Sequence, residues 1–480
     1  MIDGFKSSSI TNSKTVNLYI MKTRITLILA SLFISVNVSF AQQDEECMNN
    51  LTIFTDYYKS KRYDEAYEPW MKVRNKCPKF NRAIYAYGEK ILMHKIKNSS
   101  GSERVAYIKD LEELWNKGME YFPSNYKLGE ILSDDVILEY DYRNELGVTD
   151  KQLYDLADKA YKQDLKNFTN PKALYIYFST VVDLYDAKQV PIQNVFDKYD
   201  DVSEKIESEI RNYTEKLNKL VQKEENDQTL TSKEGKLKKY YESYLEAYDK
   251  ISESIDGKLG ILANCENLIP LYSKDFEQNK TDAVWLKRAV SRMYAKECTD
   301  DPLYVKLVKA YDATAPSADT KYFVATVLLK QGKDNEAEDY MKQAFDLEKD
   351  PYKKGKLAER IGSSLKSKGQ YSQARNYYRE SLKLNPSNGR PYLAIAAMYA
   401  SSANSCGDKE FNKRAVFWLA ADEARKAARV DANLRSAAMQ NVANYEAKAP
   451  TRAMIFTEGN QGQPIHIGCW IGATIKVPSL

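Results

Sequence analysis

Histidine is nearly absent. The 480 residues hold two, His94 and His466, which leaves little material for acid–base or metal chemistry. Glycine and proline are scarce, at 19 and 14, and so few chain breakers suit packed helices better than a loop-rich β protein. Phosphate-cradling and nucleophile motifs are missing too: there is no Walker loop, no dinucleotide-binding GxGxxG, no HExxH and no GxSxG. No CxxC occurs, which argues against a zinc ribbon or a thioredoxin-like redox pair. Paired acids such as Asp134-Asp135 and Asp300-Asp301 are expected to be solvated helix ends or caps. No catalytic residue, metal or cofactor is therefore expected, and the chain reads as non-enzymatic.

Apolar residues make up 43% and charged residues 29%, enough to bury a core and too ordered a composition for disorder. Tyrosine is abundant at 36. The N-terminus reads as an export signal. Met21 opens a second start, Lys22 and Arg24 supply positive charge, Ile25 to Phe40 is mostly apolar or small, and Ser39-Phe40-Ala41 supplies a cleavage site. Residues 1–20 are then a misplaced start, and the mature chain begins at Gln42 in the periplasm or at the outer membrane. Asp44-Glu45-Glu46 before Cys47 is not a lipobox, so no lipid anchor is expected. No later apolar run is long enough to span a bilayer. Losing Lys6, Lys14, Lys22 and Arg24 against Asp3 takes the formal net charge of +4 close to zero, which removes an electrostatic case for nucleic acid.

A repeat runs through the rest. Residues 355–388 read GKLAERIGSSLKSKGQYSQARNYYRESLKLNPSN. Ile361-Gly362, Leu365, Gly369, Tyr371, Ala374, Tyr378, Leu382 and Pro386 fall on the helix–turn–helix repeat pattern of about 34 residues. Small residues at 362 and 374 permit close helix approach, Tyr378 fills the gap, and Pro386 stops the second helix. The second-helix spacing recurs in Ala66, Trp70, Val73, Pro78; in Leu111, Trp115, Gly118, Pro123; in Ala337, Met341, Ala344; and in Ala420, Ala424, Ala427, Ala432. Residues 42–190 and 261–450 are read as two runs of such pairs.

Between them the code changes. Val202, Ile206, Ile210, Tyr213, Leu217 and Leu220 form one helical stripe, a polar break follows, and Leu237, Tyr240, Tyr241, Tyr244 and Tyr248 form another. Residues 191–260 are thus expected to be a long helical hairpin. Residues 451–480 break the helical pattern, with Ile465, Ile467 and Cys469 alternating and Thr474 to Val477 β-prone, so a short extended strap is expected. The six cysteines, Cys47, Cys77, Cys265, Cys298, Cys406 and Cys469, are even in number in an exported chain, which favours disulfides while leaving the connectivity open.

At the repeat residues quoted above the chain resembles the tetratricopeptide-repeat (TPR) superfamily. Its AQQD start, the ECTDDPLYVKLVKAYDATAPSA and SCGDKEFNKRAVFWLAADEARKAARVDANL segments and the closing IGCWIGATIKVPS are similar to exported TPR proteins of Bacteroidota-type bacteria. The resemblance implies an all-α solenoid of helical hairpins, interrupted by the long hairpin and closed by the strap. It also implies a peptide- or protein-binding groove on the first helices, at Asp319, Tyr322, Thr326, Lys330, Lys356, Glu359, Ser363 and Lys366. Glu359 and Ser363 do not match the Lys/Asn clamp that some members use for a C-terminal carboxylate. The out-and-back course of a TPR implies pairing Cys47 with Cys77, Cys265 with Cys298, and Cys406 with Cys469. The function expected is an interaction scaffold of the cell envelope with an unidentified protein or peptide partner. A glycan- or peptide-capture protein would need exposed aromatics lining a pocket, and an enzyme would need a clustered polar site.

Overall fold

The computed structural model describes residues 45–260 and 262–479. The displaced start, the signal segment and the cleavage after Ala41 lie outside the described residues. The chain divides into two compact units, Met1–Asn170 and Pro171–Leu480.

The first unit holds helix α1 (45–59), α2 (Tyr63–Lys76), α3 (Ala83–Asn98), α4 (Gly101–Tyr121), α5 (Leu128–Asp141), the single turn α6 (Arg143–Leu146) and α7 (Asp150–Asp164). Neighbouring helices pack together, α2 on α3, α3 on α4 and α5 on α7. Trp70 is wholly buried where α2 meets α3, and its indole Nε1 donates to the Ile84 carbonyl at 2.6 Å. A Cβ on Gly88 would stand 2.5 Å from that indole, so the ring occupies the space a larger residue would need. Cys47 and Cys77, which follows α2, lie at disulfide distance, with Cα atoms 6.3 Å apart.

The second unit opens with the almost fully buried α8 (Pro171–Asp186), the long α9 (Ile192–Glu225) and α10 (Ser232–Gly260). These three pack on one another, and α9 with α10 forms the long hairpin. Tyr213 of α9 meets the rings of Tyr240, Tyr241, Tyr244 and Tyr248 along α10. Then come α11 (Cys265–Asn279), α12 (Ala283–Ala295), α13 (Pro302–Thr314), α14 (Ala318–Lys330), α15 (Asp334–Leu347), α16 (Pro351–Ser367), α17 (Tyr371–Leu384), α18 (Arg390–Ser401), α19 (Ala403–Cys406), α20 (Glu410–Val430), α21 (Arg435–Glu446) and α22 (Arg452–Glu458). They pair as α12/α13, α14/α15, α16/α17 and α18/α20. Local chemistry sets the ends. Asp282, Asp301, Ser317 and Asp350 cap the starts of α12, α13, α14 and α16 with side-chain oxygens. Gly369 turns between α16 and α17 at φ 74°, a conformation other L-residues rarely adopt.

The chain ends in an antiparallel two-stranded hairpin, β1 (Pro464–Ile467) and β2 (Ala473–Lys476), with Ile465 opposite Ile475. Its connection docks on the helices. Trp470 donates to Ser402 Oγ at 3.0 Å and lies against Tyr371 and Tyr399, while Arg375 donates to the Ile471 carbonyl at 2.7 Å. Cys406 and Cys469 have Cα atoms 5.2 Å apart, and Cys265 and Cys298 5.4 Å apart. Among the described residues no helix is long and apolar enough to cross a membrane.

Candidate interaction groove

In the second unit α12, α14 and α16 each open a helical pair and together form one wall of a groove. α9 faces that wall in two of the clefts described below. The groove divides into three clefts. One, of about 500 Å³, is lined by Tyr294, Tyr322, Thr326, Leu329, Lys330, Met341, Arg360, Ser363, Ser364 and Ser367. A second, of about 410 Å³, lies between α9 and the array, and holds Asp319, Tyr322 and Lys356 beside Arg288, Arg292, Lys353 and Arg360. The third, of about 260 Å³, takes in Lys356 and Glu359 with Ile210, Thr214 and Leu217 of α9. Of the eight positions expected from sequence, Lys366 lines none of these three clefts.

The local contacts show how each side chain is held. Tyr322 is buried, its hydroxyl 2.9 Å from that of Tyr294, with the Arg360 guanidinium 5.5 Å above its ring. Burial, then the neighbouring Tyr294, pushes the Tyr322 phenol up, so it stays a neutral hydrogen-bonding group. Thr326 Oγ1 is 2.9 Å from the Tyr304 hydroxyl. Lys330 pairs with Asp300 at 2.7 Å, and Glu359 accepts from Asn388 at 2.7 Å. Lys356 pairs with Glu207 of α9 at 3.2 Å. Burial opposes the Glu207 charge, but Lys356, with Lys287 and Lys353, more than offsets it and holds the carboxyl below its ordinary range.

Sequence reasoning missed the role of α9. Arg288 donates to Asp201 at 3.3 Å and to Glu204 at 3.2 Å. The buried Arg292 pairs with Asp200 and donates to the Phe196 carbonyl at 3.1 Å. Further along, Arg211 meets Asp350 at 3.0 Å, and Asn218 accepts from the Ser387 hydroxyl at 2.7 Å. The available signal was the acidic spacing Asp200, Glu204, Glu207 on one side of the helix, which a sequence alone presents as an ordinary solvated face.

The first unit corrects another expectation. Asp301 does cap a helix, but Asp134 and Asp135 sit in the middle of α5, and burial raises both carboxyls to about 7. Neighbouring helices take them out of water: Glu89 and Lys90 of α3 stand near Asp134, and Glu112 of α4 and Lys159 of α7 near Asp135. Glu112, Asp135 and Glu139 bring carboxylate oxygens within 4.8 Å of one another and are the described residues most able to hold a cation.

Residues 356–388 match a sequence model of the tetratricopeptide repeat. No curated protein matches the sequence. Among solved structures, a tetratricopeptide repeat protein from Parabacteroides merdae is 12% identical, covering 65% of this chain and 97% of that one, with a TM-score of 0.23. Yeast Tom70 is 10% identical over 86% of this chain and 90% of its own, at 0.29. A human IFIT1 dimer with PPP-AAAA is 11% identical over 84% of this chain and 94% of its own, at 0.27.

Proposed function

From a chain that carries a tetratricopeptide repeat at 356–388 within an all-α array of helical pairs, we propose a non-catalytic protein–protein interaction scaffold of the bacterial cell envelope. A peptide or protein partner binds in the groove on α12, α14 and α16. The observation that carries this reading is the open cleft of about 500 Å³, which gathers Tyr322, Thr326, Lys330 and Ser363 from two successive first helices. Hydroxyls, a cation and aromatic edges on a rigid helical wall can grip an extended backbone and its side chains, with little reordering of the protein. The test is affinity purification from envelope fractions with the wild-type chain and with Lys330→Glu/Arg360→Glu. A partner captured through the groove is lost or weakened tenfold or more by the double reversal, at unchanged helicity by circular dichroism. Equal capture by both chains rejects the groove as the site.

The signal-like sequence of residues 22–41 supports the envelope assignment, and three cysteine pairs at disulfide distance suit an oxidising compartment. N-terminal sequencing of the protein from a periplasmic or outer-membrane fraction is expected to begin at Gln42. Intact residues 22–41 on the recovered protein would refute it.

A further inference from the structure

The two sides of α9 differ in chemistry. Val195, Val202, Ile206, Tyr213 and Leu220 recur on one side and are buried. Tyr213 shows that this side faces α10, through its ring contacts with Tyr240 and Tyr244. The other side carries Asp200, Glu204, Glu207, Arg211, Thr214 and Asn218, spaced three and four residues apart, and the contacts described above between α9 and the array come from it, its immediate neighbours, or Phe196 one turn earlier. An apolar seam therefore joins α9 to its own hairpin, while a polar, charge-paired face joins it to the groove. The Arg288 pairs with Asp201 and Glu204 and the Lys356 pair with Glu207 are partly exposed, and such contacts exchange partners readily, because water and other ions replace them. The Arg292–Asp200 pair is buried and holds the start of α9 in place.

The pairing has a sense. Asp200, Asp201, Glu204 and Glu207 are met by Arg288 and Arg292 of α12 and Lys356 of α16. Lys287, Lys353 and Arg360 line the same cleft, and no carboxylate lies within ion-pair distance of them among the described residues. Asp319 and Glu348 on that wall only partly balance them. The groove thus presents a basic surface already holding one acidic helix.

We infer that α9 is a resident occupant of the groove, and that a partner is recognised by an acidic amphipathic helix that displaces α9 from Arg288 and Lys356. The inference rests on the groove reading above and adds the partner's chemistry and a built-in competitor. Carboxylates on the incoming helix at the spacing of Glu204 and Glu207 would meet the same two cations. Displacement leaves the apolar seam between α9 and α10 intact.

The probe is a fluorescently labelled peptide of residues 192–225, added to the full-length protein. The wild-type chain binds it weakly, because α9 competes in cis. Glu204→Lys/Glu207→Lys loosens the resident helix, and peptide affinity rises at least tenfold. Adding Arg288→Glu/Lys356→Glu to that variant restores pairing with reversed signs, and peptide binding is lost while helicity by circular dichroism is unchanged. A zero-length carbodiimide cross-link between Glu207 and Lys356 forms in the wild-type chain and fades with excess peptide. Equal binding by the wild-type and loosened chains overturns the inference. So does binding that survives Arg288→Glu/Lys356→Glu, and so does no binding to a loosened chain of intact helicity. Partner capture through Lys330 and Arg360 is scored separately. A partner lost there, with no peptide competition, overturns this inference alone. Peptide competition with no groove-dependent partner overturns the scaffold reading alone.

Discussion

Trp70 and Asp135 stand in the same unit and depend on burial in opposite ways. The Trp70 indole fills the space against Gly88 and spends its one donor on Ile84. Trp70→Ala removes the ring and opens a cavity, and is expected to lower unfolding stability by about 3–5 kcal/mol, read as a lower urea midpoint. Trp70→Phe keeps most of the apolar volume and loses less. At Asp134 and Asp135 burial is a cost. Both folded carboxyls are raised to about 7 from an ordinary 3.8, by burial first, then by Glu89 at Asp134 and by Glu112 and Glu139 at Asp135. Between those values the folded protein binds protons that the unfolded chain has released. Stability is therefore fully present below the unfolded value and is lost as pH rises through about 7. The melting temperature is expected to fall between pH 5 and pH 7.5. Asp134→Asn/Asp135→Asn should flatten that dependence and raise melting at pH 7.5 by of order 5 °C. A double variant that tracks the wild type across this range would show that the carboxyls are not the cause.

Among the elements, the C-terminal hairpin is too short to hold itself. Two four-residue strands are marginal in water, so β1 and β2 persist by what fastens them to the helices. Trp470 packs on Tyr371 and Tyr399, Arg375 holds the Ile471 carbonyl, and Cys406 stands beside Cys469. If that pair is oxidised, the bond closes a long loop and contributes about 3–4 kcal/mol in the chain-entropy picture. Cys406→Ser/Cys469→Ser is expected to speed amide exchange across residues 464–476 at least tenfold while α16 and α17 keep their protection. Adding Trp470→Ala should release the strap further. Exchange in the strap that is unchanged by both variants would show that the remaining apolar contacts, such as buried Ile467 and Val477, suffice.

For the whole molecule the cysteines make one joint prediction. All six fall into three pairs, one in the first unit and two in the second. Protein recovered from the periplasm is expected to show no alkylatable thiol before reduction. Non-reducing peptide mapping should link 47 to 77, 265 to 298 and 406 to 469. Reduction should lower the melting temperature of both units. Six free thiols, or a link between 47 and 469, would contradict the pairing and weaken the argument for an oxidising compartment.

The helical pairs were legible because their signal is local. Ala374, Tyr378 and Ser381, or Ala66, Trp70 and Val73, lie one turn apart, so spacing alone reports the face they bury. The long hairpin was legible for the same reason, through the stripe that includes Val202, Ile206 and Tyr213. Tyr322, Thr326, Lys330 and Ser363, expected on first helices, do line one cleft. Spacing along a single helix cannot report what lies across from it. Asp134 and Asp135 read as solvated, and only the neighbouring helices of the folded unit bury them. Glu207 meets Lys356 across 149 residues of chain, and neither residue differs locally from a charge facing water. Periodicity belongs to the sequence. The wall that α9 places opposite the groove belongs to the tertiary structure, because only folding brings an acidic face and a basic face together.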